Sequence, residues 1–209
     1  MDLGKLTLKE ALKALASPSA TPGGGSTSAL AGAMGVSLCA MVAGLTLARE
    51  KYRDSWKEME SIQKNAQDTA LRLSILAERD MEAYTKVMEA YKLPKNGESE
   101  KKRRRQAIQA ALKEAACVPM ETLKATATMV EPLKILLEKG NPNCLTDAGV
   151  AALLIESAAK GAVYNIRVNL SSIDDAAFSE KMAEEAREVS ERVKGELGGL
   201  RDMVEKRLG

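Results

Sequence analysis

Three consecutive glycines, in Thr21-Pro22-Gly23-Gly24-Gly25-Ser26, lead into a run over residues 27–48 that contains no charged side chain. A stretch this long must be buried, set against another apolar surface or placed in a membrane, because its aliphatic groups lose free energy when left in water. Gly, Ala, Ser and Thr dominate the run, and little of it would gain from lipid. It therefore reads as a buried helix over about residues 26–50. Small residues occupy every face (Ala29, Gly32, Ala33, Gly35, Ser37, Ala40, Ala43, Gly44), so the helix is expected at the centre of the fold and as a candidate subunit interface. The glycines ahead of it free the backbone for positive φ and for close approach of a ligand or another helix. Ser26 or Thr27 can cap the helix, whose free N–H groups and dipole attract an anionic group. Neither the phosphate-loop spacing nor the dinucleotide fingerprint is present, and a tight turn before a buried helix explains the segment equally well.

The rest of the chain reads as further helices. Thr7-Leu8-Lys9-Glu10 has the capping-box pattern, and Leu8, Ala11, Leu12 and Leu15 follow at helical spacing up to Pro18. Asp54 can cap a long helix in which Trp56, Met59, Ile62, Ala66, Leu73, Leu76, Ala77, Tyr84, Val87 and Met88 recur three and four apart. Leu93-Pro94-Lys95-Asn96-Gly97 ends it. A helical stretch over about residues 99–139 carries Pro119 and Pro132, each expected to kink or divide it, and Gly140 stops it. Thr146 or Asp147 can cap a helix through about Leu170. Residues 162–170 also alternate as a strand would, but an isolated strand has no partner here, so they read as helix. A last amphipathic helix covers about residues 174–208. The fold class expected is all-α, an up-and-down-type bundle of long helices in one domain over residues 1–209, with the small-residue helix at its centre.

What the chain lacks excludes much chemistry. Histidine is absent, which removes Ser-His and Cys-His nucleophiles, the helical zinc-protease motif and His-containing metal sites. Acid–base work falls to carboxylates, Lys, Tyr or Cys. Cys39, Cys117 and Cys144 form no C-x-x-C pair and fit a reducing cytoplasm. Residues 1–20 carry dispersed charges, unlike a secretory signal. A net charge of +2 implies no general polyanion partner. The run Lys101-Lys102-Arg103-Arg104-Arg105 is preceded by Glu98 and Glu100 and has no interleaved aromatics, so it reads as a solvated helix face in preference to a nucleic-acid patch.

Asp80 breaks the apolar stripe of the third helix. A charge on a core-facing stripe is costly unless it is paired or used. Asp80 and Tyr84 share a face, and burial would raise the carboxyl pKa toward that of a general acid. Alternatively Asp80 lies at the stripe's edge and meets water or a Lys. Asp147 has a default role as a helix cap. Asn165 and Asn169, one turn apart, can present two amides to a ligand or simply join helices.

Six elements together carry a resemblance. They are Thr21-Pro22-Gly23-Gly24-Gly25-Ser26, Asp80-x-x-Ala83-Tyr84, Leu93-Pro94-Lys95, Val118-Pro119, Asn141-x-Asn143-x-x-x-Asp147 and Asn165-x-x-x-Asn169-Leu170. In this order they resemble the cyclodeaminase/cyclohydrolase family of folate enzymes, over nearly the whole chain. The resemblance implies an all-α homodimer acting on tetrahydrofolate as substrate, with no metal, bound prosthetic group, nucleic acid or membrane. It implies Asp80 as the proton donor. It places Gly23, Gly24, Gly25, Tyr84, Asn143, Asp147, Asn165 and Asn169 around the substrate and matches Arg104 to a family arginine. The basic run around Arg104 is a candidate attractor for glutamate tails. Between hydrolysis of the methenyl bridge (cyclohydrolase) and its ammonia-releasing formation (cyclodeaminase), the Leu-Pro-Lys-Asn turn favours the first. A non-enzymatic helical interaction or membrane-associated protein is the alternative of another class.

Overall fold

A computed structural model describes residues 3–209, and among them there is no strand. Seven α-helices follow in order: α1 (Leu8–Leu15), α2 (Gly24–Leu47), α3 (Trp56–Lys92), α4 (Glu98–Ala127), α5 (Val130–Lys139), α6 (Leu145–Leu170) and α7 (Ala176–Leu208). Their order in space follows from which residues meet. Gly25 lies against Asp80, Gly32 against Leu73, and Gly44 against Gln63, so α2 and α3 are antiparallel. Gly24 adjoins Asn165 and Gly35 adjoins Leu154, so α6 is likewise antiparallel to α2. Arg79 donates from Nη1 and Nη2 to the two oxygens of Glu121 at 2.7 and 2.8 Å, and Lys86 pairs with Glu114, fixing α4 antiparallel to α3. Asn169 reaches Ala115, which closes α4 onto α6. α7 packs outside this ring, tied to α6 by Arg201–Glu156 and to α4 by Lys124–Glu185.

The core runs the length of the ring. Met59, Leu73, Leu76, Leu123, Met129, Leu133, Ile155, Ile166 and Leu197 are among its fully buried side chains. Burying each contributes about 1.5–3 kcal/mol, whereas exposed ion pairs contribute about 0–1 kcal/mol each. Small residues on α2 let α6 approach: a Cβ at Gly35 would come within 2.9 Å of the Leu154 Cβ and 3.0 Å of the Ala151 carbonyl oxygen. The approach is one-sided, however. Thr27, Met34, Ser37, Met41 and Leu45 face outward, so α2 sits in the wall of the ring and not at its centre. Leu71 and Ile75 of α3 and Val150, Leu153, Tyr164 and Val168 of α6 are exposed apolar groups on the flanking helices. α2 is long and apolar enough to cross a membrane, yet its inner face packs lengthwise against α3 and α6.

Several helix ends differ from the expected ones. The capping box at Thr7 and Glu10 is formed in full. At α2 the cap is Gly23, in an extended conformation, and no glycine of the triplet has positive φ. Ser26 and Thr27 lie inside the first turn, where Thr27 Oγ donates to the Gly23 carbonyl. Asp54 falls in a short 3-10 segment, Glu50–Ser55, and Ser55 precedes α3. Trp56 therefore opens α3 at the end of α2 remote from the glycines. Pro119 lies within α4, and the chain divides instead at Thr128 and Met129. Pro132 occupies the first turn of α5, where its missing N–H would have had no helical partner. Cys144 precedes α6, leaving Thr146 and Asp147 in its first turn.

Candidate active site

The glycine triplet ends at a cleft of about 330 Å³ lined by Thr21, Gly23, Gly24, Gly25, Asp80, Tyr84, Val87, Ala115, Asn165, Val168 and Asn169. Asp80 reaches it because the stripe of α3 that carries Leu73, Leu76 and Ala77 into the core continues one turn further to the first turn of α2. The bidentate grip of Arg79 on Glu121 fixes the rotation of α3 there. Only a glycine at position 25 leaves room for the carboxyl group. A Cβ would lie 2.2 Å from Asp80 Oδ1 and 2.7 Å from Oδ2. The triplet's use is thus close approach, not unusual φ.

Ser26, wholly buried, donates its hydroxyl to Asp80 Oδ2 at 2.9 Å. Burial raises the Asp80 pKa above the usual carboxylate range, and the Ser26 hydroxyl and backbone N–H pull part of that shift back. The group is therefore easier to protonate than an ordinary aspartate. It is half-buried and has no charged neighbour contributing to its shift. The thiols offer no rival: burial pushes Cys39 up to about 12, and Cys117 and Cys144 are also raised, chiefly by burial.

Two amides face Asp80 across the cleft. Asn165 Nδ2 donates to the Gly161 carbonyl and Asn169 Nδ2 to the Ala115 carbonyl, each at 2.9 Å. With one N–H of each amide engaged, each side chain keeps a second N–H and its oxygen for a ligand. The Ala115 carbonyl is free for Asn169 because its normal helical donor would be the N–H of residue 119, which is proline. Pro119 thus orients Asn169 from one turn away. Among the described residues no group of three His, Cys, Asp or Glu side chains could hold a metal ion.

The family model described as formiminotransferase-cyclodeaminase matches residues 7–188. The chain belongs to that family. Within the formiminotransferase-cyclodeaminase family it is 36% identical over 201 residues to the methenyltetrahydrofolate cyclohydrolase of Methylorubrum extorquens, covering 96% of this chain and 95% of that one. It is 33% identical to the formimidoyltransferase-cyclodeaminase of Mus musculus over 84% of this chain but only 32% of that longer protein. A crystal structure of formiminotetrahydrofolate cyclodeaminase from Thermotoga maritima superposes with a TM-score of 0.89 at 35% identity, covering 99% of both chains.

Of the residues that the family resemblance nominated, Gly23, Gly24, Gly25, Asp80, Tyr84, Asn165 and Asn169 meet in this one cleft. Asn143 and Asp147 do not join them within this chain. The Asn141 N–H donates to Thr46 Oγ near the C-terminal end of α2, and the 24 residues of α2 span about 36 Å. Arg104 lies beyond the cleft, where its Nε and Nη2 donate to the Tyr91 carbonyl and its guanidinium stacks on the Tyr91 ring. In the basic run, Lys101 pairs with Glu98 and Arg105 with Asp174, while Lys102 and Arg103 make no ion pair among the described residues. Ser26 and Pro119 stood within the motifs that carry the resemblance but were not themselves nominated as site residues, and here they hold Asp80 and free the carbonyl that Asn169 takes. The signal for Ser26 was a polar residue opening an otherwise apolar buried helix.

Proposed function

We propose that this protein makes or opens the methenyl bridge of tetrahydrofolate, with hydrolysis of 5,10-methenyltetrahydrofolate to 10-formyltetrahydrofolate as its principal reaction. The observation that carries the reading is the half-buried, proton-avid Asp80 carboxyl group in a cleft of a chain that has no histidine. In hydrolysis, water attacks the cationic methenyl carbon and gives a proton to the Asp80 carboxylate, forming a neutral carbinolamine. Asp80 then returns that proton to N5 as the C–N5 bond breaks, and the hydroxyl proton leaves to solvent as the formyl C=O forms. One proton is released overall, which balances the lost cationic charge. General acid–base assistance of this kind contributes about 10²–10⁴-fold.

The same carboxyl group serves the second reading, favoured by the likeness to the Thermotoga maritima cyclodeaminase. N10 attacks the carbon of the protonated formimino group (C=NH₂⁺) and loses its proton to Asp80, leaving a neutral aminal that bears NH₂. That proton passes to the NH₂ nitrogen, which leaves as ammonia, and the positive charge stays on the methenyl bridge. The Asn165 and Asn169 oxygens suit the N–H edge of a reduced pterin, and the free N–H groups of Gly24 and Gly25 suit its carbonyl. From Tyr84 the exposed strip of Met88 and Tyr91 leads along α3 to Arg104, a path for the aromatic ring and carboxylates of the substrate.

The uncharged outer face of α2, with Met34, Met41 and Leu45 exposed, supports a homodimer formed through this face. Antiparallel pairing of two α2 helices about a two-fold axis would set the partner's Asn143 and Asp147 beside this chain's glycine triplet, because the two features lie at opposite ends of α2. The free thiols accord with a cytoplasmic setting. Two assays test the function: decay of methenyl absorbance, and ammonia release from 5-formiminotetrahydrofolate. Hydrolysis is expected to be the faster. Absence of both reactions in folded protein would reject the reading.

A further inference from the structure

We propose that Ser26 is the positioning residue for Asp80, holding Oδ2 so that Oδ1 is the oxygen that takes and returns the proton. The inference rests on the reading of Asp80 as the proton shuttle and adds a second residue to it. Three observations carry it. Ser26 is wholly buried and its hydroxyl is spent on Asp80 Oδ2 at 2.9 Å, although a serine in the first turn of a helix would ordinarily bond back to a carbonyl one turn earlier. Its neighbours do just that: Thr27 and Ser28 donate to the carbonyls of Gly23 and Gly24. Among the described residues, no side chain donates to Asp80 Oδ1, which stands over Gly25, where no side chain crowds it.

The two oxygens are thereby made unequal. A hydroxyl bonded to Oδ2 stabilises charge there and blocks that atom, while the carboxyl group keeps one orientation through both proton transfers. Without Ser26 the group can rotate about χ2, and the orientation needed for transfer becomes one of several. Among the described residues no charged side chain competes for this control. α2 contributes glycines and Ser26, α6 contributes Asn165 and Asn169, and α4 contributes Ala115 with Glu114 and Glu121 already paired to Lys86 and Arg79. On α3 itself Arg79 is held by Glu121, and Glu82 is exposed.

The test is steady-state kinetics against pH for wild type, Ser26→Ala, Ser26→Thr and Asp80→Asn, each checked for folding by circular dichroism and melting. Ser26→Ala is expected to lower kcat about 10–100-fold with KM changed less than about threefold. Its Asp80-dependent limb should move to higher pH, since a bond that favours the carboxylate is gone. Ser26→Thr keeps the hydroxyl and should restore both rate and limb. If Asp80→Asn is inactive while Ser26→Ala keeps wild-type kcat and pH profile, the positioning role is wrong and the Asp80 reading stands. Equal losses in Ser26→Ala and Ser26→Thr with an unmoved limb would reduce Ser26 to packing and overturn the proposal. Near-normal turnover in Asp80→Asn would remove both.

Discussion

Replacing Gly25 with alanine tests the contact on which the cleft is built. The new Cβ would stand 2.2 Å from Asp80 Oδ1, 2.6 Å from its Cγ and 2.7 Å from Oδ2, whereas ordinary contact begins at 3.4 Å. The nearest oxygen must therefore retreat by 1.2 Å, the difference between 3.4 and 2.2 Å. A shift of that size is enough to break the 2.9 Å bond from Ser26. Misplacing a reacting group by about 1 Å costs about a hundredfold in rate, so kcat for methenyl hydrolysis should fall by about that factor. Overpacking costs about 1–3 kcal/mol, equivalent to a melting point lower by about 2–12 °C in a chain of this size. Gly24→Ala provides the comparison, because its Cβ would meet the Asn165 amide at ordinary distances, 3.7 Å from the nitrogen and 4.0 Å from the oxygen. It should lose far less activity and little stability. Wild-type kcat in Gly25→Ala, or equal losses in the two variants, would refute the reasoning.

Asp80→Asn should cost at least about a hundredfold in turnover with the fold intact, and should melt higher than wild type near neutral pH. The sign follows from the raised pKa. The native state binds this proton more tightly than the unfolded chain, so the stabilisation is complete below the ordinary carboxylate range and is lost as pH rises through the raised value. The melting-point difference should accordingly shrink in acid, as a pH series of thermal melts would reveal. Pro119→Ala should return an N–H to the Ala115 carbonyl, raising stability while loosening Asn169. KM is expected to rise by up to about tenfold, the equivalent of one hydrogen bond, and an unchanged KM would detach Pro119 from the site. Asp80→Asn and Asp147→Ala, each inactive alone, should complement when dissociated and re-paired in equal amounts. Half of the dimers would then be mixed with one intact site each, returning about a quarter of wild-type activity. No recovery in verified mixed dimers would place Asp147 outside the neighbouring subunit's site.

Helices were legible wherever a local rule acted without competition. Thr7 and Glu10 capped α1 through their own side chains, Gly140 ended α5, and the apolar repeat from Met59 to Val87 turned inward except at Tyr84, which is exposed at the cleft. Residues 162–170, ambiguous by alternation, are helical because α6 packs between α2 and α7. Local rules failed where a distant group claimed the side chain. Ser26 was read as a cap, but an aspartate 54 positions away takes its hydroxyl. Pro119 was expected to bend or break its helix, yet Asn169 satisfies the carbonyl that proline leaves open. Asp80 itself stood out as a charge on an apolar stripe. What it faced could not be read, because the antiparallel register of α2 and α3 is a property of packing. The central position expected for α2 failed for a related reason. Small residues on all sides permit close neighbours on all sides without requiring them.

The lone indole of the chain, Trp56, marks the opposite extremity of α2 from Asp80. Its emission consequently reports on a region some seven helical turns away from the proposed site of proton transfer. Fraying of the first turn around Gly24 and Gly25 would silence turnover while leaving that fluorescence untouched. In a heating series, activity and tryptophan signal need not disappear together, and a gap between the two curves would measure how much earlier the business end of the molecule lets go.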